Sequence, residues 1–145
     1  MQISGWAADP KALKEFLAEP NLARVATVDQ DGEPHVVPAW YWWDGESFWI
    51  GAQASDQKVA NARRRGRAGI EVDADIRRRR GIYALGPARV YDGAEGRREY
   101  IRITTEQVPR YQPGKPPIET ARTFAQKGQP VVIQVTPDHL ISWGR

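Results

Sequence analysis

The stretch SDQKVANARRRGR, residues 55–67, holds the residue types best placed for chemistry. It reads as a helix of about ten residues with Ser55 as its N-cap and Lys58 in its first turn. A helix start carries unsatisfied N–H groups and a partial positive charge. Ser55 and Lys58 would add a hydroxyl and an ammonium there, a combination that suits an anion such as a phosphate group. Asp56 puts a negative charge at the same end, so an anion must approach on the Ser55/Lys58 side. Two other readings stand beside this one. Arg63, Arg64, Arg65, Arg67 and the RRRR run at 77–80 suit nucleic-acid phosphates, with aromatics to stack on bases. Alternatively Ser55 is only a cap, Lys58 is solvated and the arginines form a hydrated face.

Other chemistry is thinly represented. His35 and His139 are the two histidines, far apart, and cysteine is absent, which removes disulfides, thiolate metal sites and a cysteine nucleophile. No GxSxG elbow, P-loop or dinucleotide fingerprint occurs. Asp73 and Asp75 form a carboxylate pair in sequence, read as a polar strand end. If a protein without a self-contained catalytic constellation does chemistry, it must take it from a cofactor.

The elements that must position these residues follow from pattern. Asp9-Pro10 opens a helix to about Ala18, with Leu13, Phe16 and Leu17 on one stripe. LARVATV, PHVVPAWYWW and SFWIGAQ read as three consecutive strands joined by DQDG and DG turns. In the second, Trp40 and Trp42 point one way and Tyr41 and Trp43 the other, so both faces are apolar. A small barrel whose outside packs on a partner subunit would produce that. Pro34 and Pro38 require an edge or a bulge near Pro38. After the 55–65 helix come RAGIEVD and GIYALGPARVYD as strands, the latter bent at Gly86-Pro87. In GAEGRREYIRITTEQVPRY the isoleucines and threonines favour strand, whereas the charge density and flanking DGAEG favour helix; it is read as a helix. IETARTFAQKG is a helix ended by Gly128, and PVVIQVTPDHLISWGR supplies the last two strands. The expected class is α+β: one domain over residues 1–145, built on a mainly antiparallel, six- to seven-stranded, closed sheet with flanking helices.

The ordered series ATV-x-x-DG-x-P-x-V-x-P-x-W, a DG turn and strand, a Ser/Lys helix start, N-x-R-R, and later GPARV and ISWG resembles the split β-barrel flavoproteins related to pyridoxamine 5'-phosphate oxidase. Within that superfamily the chain looks most like the small flavin- and deazaflavin-dependent oxidoreductases. The resemblance implies an FMN-binding split barrel and a homodimer with cofactor sites at the subunit interface. It implies FMN or coenzyme F420 as cofactor, and hydride transfer to or from a small organic substrate. The strand from Val36 through Val37, Pro38 and Ala39 to Trp40 would run along the cofactor ring and bond its polar edge through main-chain groups. Gln53, Ser55, Gln57 and Lys58 would hold the ribityl chain and phosphate, and Asn61 would face the same groove one turn later. Trp143 would either reach the partner's cofactor or anchor the C-terminal strand, and a proton would come from solvent or Tyr83. True pyridoxamine phosphate oxidases end in an arginine-and-histidine substrate motif; this chain stops at ISWGR, so vitamin B6 oxidation is not expected.

The totals agree with this. A length of 145 residues suits one domain, and no apolar run reaches the roughly 20 residues of a membrane helix. MQISGWAADP has neither the basic nor the apolar region of a signal peptide, so the expected location is the cytoplasm. The net charge of +3 hides a cluster between Arg63 and Arg80 that would suit the carboxylate tail of a deazaflavin coenzyme. A non-catalytic flavin or haem carrier on the same barrel, and a nucleic-acid binder, are the competing functions.

Overall fold

The segment from Pro34 to Trp43 is broken, and the break organises the molecule. The computed structural model describes residues 1–74 and 77–144; the Asp75 half of the sequence-level carboxylate pair lies outside them. Strand β3 (Pro34–Ala39) pairs with β2 (Ala23–Val28), while β4 (Trp42–Trp43) pairs with β5 (Phe48–Gln53). Only Trp40 and Tyr41 separate β3 from β4. The other strands are β1 (Gln2–Ser4), β6 (Arg67–Asp73), β7 (Gly81–Tyr91), β8 (Pro130–Val135) and β9 (His139–Trp143). The sheet runs β3-β2-β6-β7-β8-β5-β4, so its two ends are the two halves of one segment. That is a split barrel of seven strands, antiparallel along the whole path, with β9 added to β7 and β1 lying parallel on β9. The prolines explain the split: Pro34 and Pro38 have no N–H for a further ladder, which confines β3 to an edge.

Strand β7 carries the curvature. Up to Pro87 it pairs with β6, and from Ala88 it pairs with β8. A Cβ at Gly86 would overlap the Thr136 carbonyl oxygen, so the corner needs a residue without one. The inward positions of the strands, among them Val25, Ile50, Ile70, Ile82, Ile133 and Leu140, are fully buried. Burial of each such side chain is worth about 1.5–3 kcal/mol.

Four helices complete the fold: α1 (Pro10–Leu17), α2 (Gln57–Arg65), α3 (Gly93–Tyr111) and α4 (Pro117–Ala125). In α1, Asp9 accepts the Lys11 N–H at 3.0 Å and Leu13, Phe16 and Leu17 are buried, as the pattern requires. The helical reading of 93–111 is correct: Ile103, Thr104, Gln107 and Val108 form its buried stripe. Helix α4 ends at Ala125, three residues before the positive-φ Gly128.

The two-faced aromatic segment makes contacts on both sides within the chain. Tyr41 and Trp43 enter the barrel core, as alternation demands. Trp40 stacks on Tyr111 of α3 with centroids 4.8 Å apart, and Trp42 joins a second cluster with Trp49, Tyr91, Ile103 and Val132. Side chains of α3 and α4 and the β5, β7 and β8 residues around Trp42 thus pack on the outer aromatic face, leaving Trp40 and Trp42 partly exposed.

Candidate functional site

Strand β5 ends at Gln53, and the turn into α2 is fastened by Asp56. Its Oδ2 accepts the Gln53 N–H at 2.9 Å and the Lys58 ammonium at 3.1 Å. Its carbonyl accepts the N–H groups of Val59 and Ala60, which makes Asp56 the N-cap and corrects the expectation of Ser55 by one residue. Burial alone would raise the Asp56 carboxyl, but the Gln53 N–H and the Lys58 ammonium outweigh it and hold it below the ordinary carboxylate value. An anion at this helix start thus meets a carboxylate already bonded to the cation.

Lys58 faces a cavity of about 290 Å³. Strand β3 and the residue after it supply Pro38, Ala39 and Trp40; β5 supplies Gly51; α3 supplies Tyr100, Thr104 and Gln107; α4 supplies Phe124. Trp40 and Phe124 have ring centroids 6.2 Å apart and form an aromatic wall. Gly51 matters for space, since a Cβ there would come within 2.9 Å of the Tyr100 ring. Burial lifts the Tyr100 hydroxyl above the ordinary tyrosine value, so it stays neutral at physiological pH. The Gln107 amide nitrogen is buried without a hydrogen-bond partner, a situation that costs roughly 1–3 kcal/mol. Flat apolar walls and one cation fit a planar, anionic molecule, and a rotation of the Gln107 amide would bring a donor to it.

Four of the sequence-derived residues meet at this cavity: Pro38, Ala39, Trp40 and Lys58. The others serve elsewhere. Val36 points outward and is 59 % exposed, and Val37 packs against the core. Gln53 accepts the Gln129 N–H through Oε1 at 2.9 Å, and Ser55 sits in the turn before α2. Gln57 donates to Asn61 Oδ1 at 2.7 Å. Asn61 does not face the groove: it is fully buried and donates to Thr27 Oγ1 at 3.1 Å, tying α2 to β2. Tyr83 lines a separate groove with Val28 and Gly69 on the outside of the sheet. Trp143 packs against Gly81, and its carbonyl accepts the Trp6 indole N–H at 2.8 Å. The α3 contribution escaped sequence reasoning, although Tyr100, Thr104 and Gln107 stand at i, i+4 and i+7, a spacing that puts them on one helix face.

The arginine cluster is largely turned onto the protein's own acceptors. Arg63 pairs with Asp92 at 2.8 Å, Arg67 with Asp138 at 2.9 Å and Arg78 with Glu19 at 2.7 Å. Arg65 donates to the Asp29 carbonyl at 2.8 Å, and Arg80 lies over the Trp6 ring. This dispersal weakens the nucleic-acid reading, which needs a continuous basic strip.

The outward face of the sheet mixes exposed apolar side chains with the Arg24, Glu71 and Asp73 charges. Arg24, Glu71, Tyr83 and Ile141 stand in register across β2, β6, β7 and β9, with Pro38 beside Arg24. Val28, Val36, Tyr83, Ile141 and Trp143 are exposed on it, and Ile141 is 49 % accessible. Among the described residues no helix is long and apolar enough to cross a membrane, and no cluster of His, Cys, Asp or Glu could hold a metal ion.

Comparison with known proteins gives a consistent picture. A family profile described as pyridoxamine 5'-phosphate oxidase matches residues 9–144. Among solved structures, the conserved hypothetical protein Rv2991 from Mycobacterium tuberculosis superposes with a TM-score of 0.76 at 24% identity, over 92% of this chain and 83% of that one. An F420 reductase superposes with a TM-score of 0.65 at 24% identity, over 88% of this chain and 94% of the other. HutZ, a haem storage protein from Vibrio cholerae, superposes with a TM-score of 0.70 at 17% identity, over 90% and 91%. No curated protein matches the chain.

Proposed function

The chain belongs to the pyridoxamine 5'-phosphate oxidase family, and from that premise we propose that the cavity beside Lys58 binds FMN or the deazaflavin coenzyme F420. On this reading the protein is an oxidoreductase that moves hydride to or from a small organic substrate. The observation that carries it is the meeting of Pro38, Ala39, Trp40, Lys58 and an unpartnered buried Gln107 at one cavity. When bound, the cofactor supplies two-electron chemistry that side chains cannot.

The residues have separable tasks. Lys58 holds an anionic oxygen through a charge-assisted hydrogen bond. Trp40, Phe124 and Tyr100 form walls that exclude water and keep a planar group in one orientation. Pro38 withholds an N–H from the ladder, so the end of β3 is not engaged by a further strand.

The competing reading is a non-catalytic flavin or haem carrier. The described lining holds no histidine, cysteine or methionine, the commonest axial haem ligands, and Lys58 is bonded to Asp56. The donor set therefore favours a flavin-type ring.

A second copy of the chain is the proposed cover for the outward sheet face. Its exposed apolar side chains flank the Arg24, Glu71 and Asp73 charges, a mixture like that of subunit interfaces. Strand β3 contributes Val36 and Pro38 to that face and Pro38 to the cavity, so a partner seated there would border the cofactor.

Titration with FMN and with coenzyme F420, followed by native mass measurement, tests both parts. The expected result is quenching of cofactor fluorescence and a dimer carrying two cofactors. Turnover with reduced cofactor separates enzyme from carrier. Failure of both cofactors to bind at micromolar concentration sinks the reading. A dimer unaffected by Tyr83→Asp with Ile141→Asp removes that face from the interface.

A further inference from the structure

Gln107 has a place in the fold that its bonds do not explain. It is 2 % exposed, sits on the α3 stripe with Tyr100 and Thr104, and lines the cavity. Its amide nitrogen has no partner. Buried amides are normally bonded, and neither Lys58, which offers only donors, nor the Tyr100 and Thr104 hydroxyls on the same cavity are bonded to the nitrogen of this one. Rotation of the terminal amide exchanges its oxygen and nitrogen, so the donor can be turned to the cavity without moving α3.

We infer that Gln107 determines ligand specificity at the cavity: its amide donates to a neutral acceptor, a ring carbonyl or ring nitrogen, while Lys58 takes the ligand's anionic oxygen. The inference rests on the cofactor reading above and adds the residue that reads the ring. The division of labour follows from charge. An ammonium discriminates for negative charge, whereas an amide N–H prefers a directed lone pair and is indifferent to a distant phosphate. The ligand class is then a heteroaromatic ring with a carbonyl-bearing edge.

The experiment compares phosphorylated and phosphate-free probes. Affinities for FMN, riboflavin, coenzyme F420 and its phosphate-free deazaflavin chromophore are measured by fluorescence on the full chain, for wild type, Gln107→Leu, Gln107→Met and Lys58→Ala. The Gln107 variants are expected to weaken the phosphorylated and phosphate-free probes of the preferred ring by the same factor, roughly 3–10-fold. Lys58→Ala is expected to weaken the phosphorylated probe alone. The Gln107 variants should also melt no lower than wild type, because an apolar side chain replaces an unpaired amide.

Unchanged affinity in both Gln107 variants overturns the inference while leaving the cofactor reading intact. A loss confined to the phosphorylated probe also overturns it, by placing Gln107 at the anion. A drop in melting temperature in both variants assigns Gln107 to the fold and overturns it as well. Wild-type protein that binds none of the four probes overturns the cofactor reading itself.

Discussion

The Lys58 ammonium lies 3.1 Å from Asp56 Oδ2, and that same oxygen accepts the Gln53 N–H at 2.9 Å. A carboxylate thus stands at the start of α2 where an incoming anion would otherwise find only a cation and open N–H groups. Lys58 is well enclosed, its side chain 12 % exposed, so the pair is less screened than a surface pair. Any phosphate bound here has to share Lys58 with Asp56 or displace it.

That geometry predicts opposite effects for the two partners. Asp56→Asn removes the competing charge while keeping a good N-cap side chain that can still accept the Gln53 N–H. FMN or F420 affinity should rise, with little change for phosphate-free probes. Lys58→Ala should lower affinity for the phosphorylated probe by roughly 10–100-fold, since hydrogen bonds to charged groups contribute about 1.5–3 kcal/mol. Isothermal titration at fixed ionic strength reads both. Weaker binding of the phosphorylated cofactor to Asp56→Asn would remove the competition argument.

Asn61 separates folding from binding. Its amide nitrogen donates to Thr27 Oγ1 at 3.1 Å and its oxygen accepts from Gln57 at 2.7 Å, all within a fully buried position. Asn61→Ala leaves these groups unsatisfied and opens space, so stability should fall by about 1–3 kcal/mol in chemical denaturation. Cofactor affinity of the folded fraction should hold. A variant as stable as wild type but unable to bind would return Asn61 to the site.

The contrast between Lys58 and Asn61 shows how far the sequence was readable. Lys58 could be placed because a first-turn position follows from the helix start alone. Asn61 lies three positions on, and which face it presents depends on where β2 crosses α2, a tertiary fact. Ser55 and Asp56 are both good caps, and the one-residue choice was made by the reach of Asp56 to Gln53 across the turn. Local chemistry dictated the Asp9-Pro10 helix, the split at Pro38 and the bend at Gly86-Pro87, and these were legible. The four aromatics of residues 40–43 announced a cover on both faces, read from sequence as a partner subunit; within the chain, α3 and α4 supply contacts that no local pattern gave away. Strand β1, three residues long, exists through its pairing with β9 and had no signal of its own.

The corner of β7 offers a test of the barrel itself. A Cβ at Gly86 meets the Thr136 carbonyl and the Pro137 backbone, neither of which is a flexible side-chain end. Gly86→Ala must therefore shift the β8–β9 connection, and overpacking of this kind costs typically 1–3 kcal/mol. Urea unfolding should show a lower midpoint with an unchanged slope. By comparison, Gly32 and Gly45 have open space around the Cβ position, and alanine there meets only the strain of a positive φ. A Gly86→Ala protein as stable as wild type would show that β7 turns its corner without help from that residue.

Glu71 gives the fold a pH dependence of defined sign. Burial raises its carboxyl above the ordinary glutamate value, and the neighbouring Asp73 raises it further; Arg24, 3.6 Å away, opposes both without cancelling them. Asp73 is itself paired with Arg24, so one guanidinium serves two carboxylates. A folded value above the unfolded one means that the folded state favours the protonated acid. The associated stability is fully present below the unfolded value of about 4.5 and is lost as pH rises through the folded one. At neutral pH the ionised Glu71 therefore works against folding. Glu71→Gln should melt higher than wild type at pH 7, with the difference shrinking towards zero as pH falls below about 4.5. Thermal melts of both proteins between pH 4 and pH 8 decide the matter. A variant that melts lower at pH 7 would mean that the attraction of Arg24 outweighs burial and the repulsion from Asp73.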